Sequence, residues 1–363
     1  MIFADKSSND SVGPLAHRNW QAFNDSKSKK NHMDIVLYSD TILIGPNYEI
    51  VGPYYIANLT HGNKYSSREI DGLHPTLHIK LSDHSNADPN FNLFTLDSNG
   101  GSIGEELSAL IGLDIGMKLK KVEDKSYYYL NKEYPMLPDL KERTFELKRF
   151  KYYNCLDLNS AIALVRSARL YQKAIWVSDS EPTVSWLLLV AAVETASNHW
   201  HKTKTSHNAI GYFREIKPKW SEEILKKWGK DCEKYIAEKL QETMGSTHKF
   251  VNFISNFKPE PPEKRPEADL QFNFCTDLNN AMKIIYQYRS RALHAGLDFP
   301  VPMCDIPFIL NLELLEIPFG TVEVANRIWT QNEIPMLLRT FEHIVRRVLQ
   351  LWWDELIANN KDK

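Results

Sequence analysis

The spacing of apolar residues changes near residue 140, and that change confines the chain to two kinds of structure in a fixed order. Before it, short runs of β-branched and aromatic residues at 35–38, 41–44, 48–51, 54–56, 76–81 and 91–96 alternate with turn residues. Gly45-Pro46, Gly52-Pro53, Gly62-Asn63 and Asp88-Pro89 punctuate them, which predicts a small antiparallel sheet. After it, apolar residues recur every three or four positions, which is the spacing of helices. The expected fold class is therefore α+β: a β-rich N-terminal domain over 1–145, then an all-α bundle over 146–363.

Local signals place the elements. Residues 1–32 read as a loose lead-in anchored only by Val12, Leu15, Trp20 and Phe23. Ile103, Leu107, Leu110 and Ile111 fall at helical spacing, with Ser102 or Gly104 to begin the turn. A strand is expected at 127–130, and Pro135 and Pro138 lead into the boundary. Asp157 is placed to cap a helix over 158–177, and Pro182 begins the next, running to about His199. A turn this short makes the two pack antiparallel. One helix is expected over 221–244, ended by Gly245, and a short one over 247–257. Four prolines between Lys258 and Ala268 require a solvated loop. Asp277 is expected to cap a helix ended by Gly296. Prolines 300, 302, 307 and 318 then impose extended structure, and a last helix spans 333–358 with Leu337, Phe341, Ile344, Val348, Trp352 and Leu356 as its stripe.

Charge excludes one broad class. With 44 Lys and Arg against 46 Asp and Glu, no global field draws the chain onto nucleic acid, so any polyanion must be held by a local patch. Cys155, Cys232, Cys275 and Cys304 are scattered without metal-ligand spacing, as in a reducing cytosol. Residues 1–10 lack the pattern of a secretory signal. The longest apolar run, 186–193, is too short to span a bilayer. A soluble, cytoplasmic protein without metal or cofactor is expected.

The chemistry concentrates in the helix ended by Gly296. Arg289 and His294 stand five positions apart, about 140° and ~7.5 Å along an ideal helix. From one chain they cannot converge on a small ligand, but a second copy across a two-fold axis would join two partial sites. Arg291 and His294 share a face. Such residues suit metal-free cleavage of an RNA backbone. An imidazole exchanges protons with the 2′-hydroxyl or the leaving 5′-oxygen, while a guanidinium holds the phosphate and its developing charge. A solvated helix end also favours Arg and His.

The stretch Ile285-Tyr286-Gln287-Tyr288-Arg289-Ser290-Arg291-Ala292-Leu293-His294-Ala295-Gly296 resembles the signature helix of HEPN proteins: Arg, four to six residues, then His, often with a small polar residue after the Arg. It is most similar to the ApeA-type group, in which an aromatic, Arg-Ser, an apolar residue, His and Gly follow in order. Ala295 departs from that order by separating His294 from Gly296, which touches the cap rather than the chemistry. The resemblance covers the helical part of the chain; for the N-terminal part it rests on a general β-rich plan.

The resemblance implies a HEPN helical bundle and a metal-independent endoribonuclease acting in antiphage defence by abortive infection. It implies a homodimer through the HEPN domain with the two motifs facing each other. Arg289 would bind the phosphate, His294 would transfer protons, and Ser290 would be the polar motif residue. RNA, with tRNA among the candidates, would be the substrate. A toxic nuclease needs restraint, so the N-terminal domain is expected to sense or regulate, responding to a phage-derived activator or inhibitor. The alternative is a HEPN domain kept as a catalytically inactive nucleotide-binding or protein-interaction module.

Supporting residues are also visible. Glu194 follows the apolar run 187–193, and its carboxylate is expected to pair with Arg289 or Arg291. His201, Lys202 and Lys204 form a local basic patch suited to an RNA backbone and, without an acidic or Cys partner, not to a metal.

Overall fold

The computed structural model describes residues 14–24, 33–60, 73–81, 102–121, 142–205, 209–240, 245–305, 309–310, 313–318, 322–324 and 327–361. They form an α+β protein, a β-sheet in the N-terminal part followed by a mostly helical remainder. The strands expected at 91–96 and 127–130 lie outside the described residues. Two compact units are present, Met1–Leu189 with Val345–Lys363, and Val190–Ile344.

The first unit carries the sheet. Strands β1 (Asp34–Ser39), β2 (Ile42–Ile44), β3 (Tyr48–Val51), β4 (Tyr54–Asn58), β5 (His74–Leu81), β6 (Lys120–Lys121) and β7 (Glu142–Thr144) include a five-stranded sheet in the order β3-β4-β5-β1-β6. Its pairings are antiparallel, whereas β2 and β7 pair in parallel. Period-two alternation turns Ile35 and Leu37 inward, which fixes the register of β1 because a one-residue slip would expose both. Gly52, in the β3–β4 turn, has φ +55°, and a Cβ there would meet the Trp20 ring at 2.4 Å. Only glycine satisfies both demands.

Residues 15–24 correct the expectation of a loose lead-in, since they form helix α1 (Leu15–Asn24). Its first amides, Leu15 and Ala16, each donate to the buried Glu106 carboxylate at 2.9 Å. Glu106 lies on α2 (Ile103–Ile115), which starts at a reciprocal cap between Ser102 and Glu105. Helix α3 (Leu158–Val177) has the bounds expected, with Asp157 accepting from the Asn159 and Ser160 amides. The Gln172 amide donates to the Met117 carbonyl at 2.9 Å and binds α3 to the turn after α2.

The helical elements continue through α4 (Pro182–Thr205), α5 (Ala209–Ile216), α6 (Pro218–Leu240), α7 (Ser246–Asn256), α8 (Leu278–Ala295) and α9 (Leu338–Lys361). Two-stranded pairs β8–β9 (Ile309–Leu310, Glu313–Leu314) and β10–β11 (Val322–Val324, Arg327–Trp329) follow α8. Helix α9 begins five residues later than expected because Pro335 follows a turn in which the Glu333 and Ile334 amides donate to Thr330. Its expected stripe is buried from Leu337 to Leu356. Trp352 and Trp353 are fully buried in the first unit, so both belong to core. Among the described residues no helix is long and apolar enough to cross a membrane.

The second unit holds one departure from a simple helix. Ser221 donates to Glu233, and Ile224 packs in one cluster with Ala237 and Phe213. Twelve residues of straight helix span ~18 Å, so these contacts require the chain to reverse within α6. The reversal is at Gly229, where φ is 81° and ψ −179°. That region is essentially open to glycine alone. Helix α6 is thus two antiparallel arms, closed onto α5 by Arg214, which donates from Nε and Nη2 to the two Glu233 oxygens at 2.8 Å.

Candidate active site on α8

Helix α8 forms because Leu278, Ala281, Met282 and Ile285 recur at helical spacing and are buried together. Asp277 occupies the cap position, yet its side chain makes no capping bond. Asn273 instead accepts from the Cys275 and Thr276 amides just upstream. At the other end Gly296 adopts the left-handed conformation expected of it, φ +63°, and its amide donates to the Arg291 carbonyl.

The motif residues divide by environment. Arg289 is part-buried, its side chain 23% exposed against 17% for Glu194, and Nη2 donates to Glu194 Oε2 at 2.7 Å. Of the two arginines that could take this carboxylate, it is therefore Arg289 that pairs with it. Glu194 lies between Val193 and Ala196, both buried, so its carboxylate leaves the apolar face of α4 only at its edge. Tyr286 donates to the other Glu194 oxygen at 2.6 Å, and the Arg289 guanidinium lies over its ring at 5.4 Å. Phe250 of α7 packs on that ring at 5.3 Å. Burial, followed by the Glu194 acceptor and its charge, pushes the Tyr286 hydroxyl up to about 12, so it remains a donor at neutral pH.

Arg291 is built the same way with a different partner. Its guanidinium lies over the Tyr288 ring at 5.5 Å, and Tyr288 donates to the Glu333 carbonyl at 2.8 Å. Burial raises the Tyr288 hydroxyl too. Each arginine thus rests on the tyrosine three positions before it, the spacing that stacks side chains on one helix face. That i,i+3 relation is present in the sequence and identifies Tyr286 and Tyr288 as supporting residues that the motif alone does not single out.

Ser290 is half-buried, while Arg291, Leu293 and His294 are exposed, as are Leu297 and Val301 beyond the cap. The end of α8 and the residue after its cap therefore present an imidazole and two leucines to solvent, on the helix whose Arg289 is held by Glu194. Glu194 engages the Nη2 group, and a guanidinium carries five N–H donors in a planar fork. An anion can be held by the rest of the fork without breaking the pair.

The basic patch expected near the end of α4 is split. Lys202 and Lys204 are exposed in its last turn, where cations complement the helix dipole. His201 is buried at 4% exposure, in ring contact with Trp200, Tyr212 and His248. Burial, then Lys249 and His248, lowers it to about 4, so the ring is neutral at pH 7. This is the setting of a core histidine rather than of a surface phosphate contact. Among the described residues no three His, Cys, Asp or Glu side chains converge to hold a metal. The four cysteines are free thiols.

No family model, curated protein or solved structure matches the chain.

Proposed function

We propose that the chain is a HEPN-type endoribonuclease that cleaves RNA without metal, through a composite site made by two copies of α8. The observation that carries this reading is the Tyr286–Glu194–Arg289 arrangement, in which a guanidinium is fixed by an ion pair and a ring on the helix that ends with an exposed His294. Arg289 holds the scissile phosphate, and His294 moves the proton of the 2′-hydroxyl or of the leaving 5′-oxygen. Exposed Leu293 and Leu297 supply apolar area for the facing copy. The phosphodiester is exchanged for a 2′,3′-cyclic phosphate and a free 5′-hydroxyl, so no oxidant or cofactor is consumed. Action in the cytoplasm in phage defence, with the N-terminal part sensing a phage component, rests on the motif's resemblance alone.

A second reading has an observation in its favour. Arg289 already has a carboxylate partner, as a purely structural arginine would, and a binding module without turnover needs no more. Total RNA incubated in EDTA separates the two. The nuclease reading expects fragments ending in 2′,3′-cyclic phosphate from the parent and at least a hundredfold less from His294→Ala and Arg289→Ala. Equal cleavage by all three proteins removes the assignment to these residues.

A further inference from the structure

The α5–α6 hairpin bears aromatic rings that neither its own packing nor the candidate site uses. Trp220 is 55% exposed, Trp228 62% and Tyr235 62%. Trp and Tyr are enriched at contact surfaces, where an apolar ring and a polar tip both find a place. Each has an ammonium over its face: Lys217 at 5.4 Å from Trp220, Lys227 at 5.7 Å from Trp228 and Lys239 at 5.8 Å from Tyr235. Four more exposed lysines, Lys219, Lys226, Lys230 and Lys234, lie on the same two arms. The two arms carry six lysines against five carboxylates, of which Glu233 is neutralised internally by Arg214 and Glu223 pairs with Lys227.

We propose that this hairpin binds single-stranded RNA, with unpaired bases stacking on Trp220, Trp228 and Tyr235 and lysines meeting the phosphates between them. Rings alternating with cations are what a flexible polyanion of stacking bases requires, and in a duplex the same base faces are already covered. The rings occupy both arms of the hairpin, Trp220 and Trp228 before Gly229 and Tyr235 after it. Trp228 sits beside the reversal at Gly229, and Tyr235 lies between the inward-facing Glu233 and Ala237, hence on the outer side of its arm. The inference rests on the endoribonuclease reading for the choice of RNA over DNA, and on the hairpin alone for the surface.

Binding is measured by anisotropy of a labelled oligouridylate of roughly 20 nucleotides, on the full chain carrying His294→Ala so that the probe stays intact. The surface predicts binding that weakens steeply with salt. It also predicts about a tenfold or greater loss in a Trp220→Ala, Trp228→Ala, Tyr235→Ala triple variant. A triple variant with phenylalanine at the three positions keeps affinity within about threefold, because the stacking faces remain. Unchanged binding by the alanine variant, or no binding by the parent at low salt, overturns the proposal. So does alanine-sensitive binding to phosphatidylserine vesicles in place of RNA. If the probe binds through these rings while total RNA is never cut, the nuclease reading fails and the surface stands. If the parent cuts RNA and the alanine variant, with His294 restored, cuts it equally, the surface fails alone.

Discussion

Glu194 Oε2 lies 2.7 Å from Arg289 Nη2, and this one ion pair joins α4 to α8 at the candidate site. Removing the carboxylate leaves a part-buried cation facing its vacated place. Glu194→Ala is expected to cost ~2–3 kcal/mol in urea unfolding. With Arg289→Ala in the same chain the loss falls short of the sum by about 1 kcal/mol or more, and that difference measures the pair.

Tyr286 supplies the second bond to Glu194, and its titration gives that bond a pH signature. The hydroxyl sits above its ordinary 10, at about 12, chiefly through burial and then through Glu194. A raised group stabilises the fold fully below pH 10, and the contribution is lost as pH rises toward 12. Tyr286→Phe is expected to lose ~1.5–3 kcal/mol at pH 7 and to show a smaller decline between pH 10 and 12 than the parent. Thermal melts across that range provide the comparison.

Two left-handed glycines should respond differently to alanine. A Cβ at Gly296 or at Gly229 meets nothing within 4 Å, so only backbone strain separates them. At Gly296 the conformation is the ordinary left-handed one, and Gly296→Ala is expected to cost ~1 kcal/mol. The ψ of −179° at Gly229 places it where side chains are excluded, so Gly229→Ala should cost ~1–3 kcal/mol. Hydrogen exchange would find the second loss concentrated in residues 209–240.

Acid should open the hairpin through Glu233. Hydrogen bonds from Arg214 and then Ser221 hold its carboxyl at about 2 against an ordinary 4.5. A depressed group stabilises above the ordinary value, and its contribution disappears as pH falls from there toward 2. Glu233→Gln is expected to be less stable than the parent at pH 7, with the gap closing by pH 2. Chemical unfolding at a series of pH values checks it.

Features written in neighbouring residues are legible in the amino-acid sequence alone. Ser102 and Asp157 cap their helices, α3 has the bounds its periodicity gives, and Gly296 stops α8. Glu194 stands out because a carboxylate beside an apolar run needs a partner. What escapes such a reading depends on distant or single residues. Helix α1 is short, and its N-terminal amides are satisfied by Glu106, 90 and 91 positions away, which no local window contains. The reversal in α6 is hidden because apolar spacing continues across Gly229, so 221–244 has the pattern of one rod. His201 beside two lysines has the look of a basic patch, yet α4 turns it inward toward Tyr212 and His248.

The separations along the chain also order the assembly of the second unit. Arg214 finds Glu233 across 19 residues, whereas Arg289 finds Glu194 across 95. Closing the longer loop costs more entropy, and contacts remote in sequence form more slowly than local ones. The hairpin can therefore be complete while α8 still carries an arginine with no fixed orientation. A chain leaving the ribosome would hold the exposed rings of the hairpin in place before it fixes the Arg289 guanidinium.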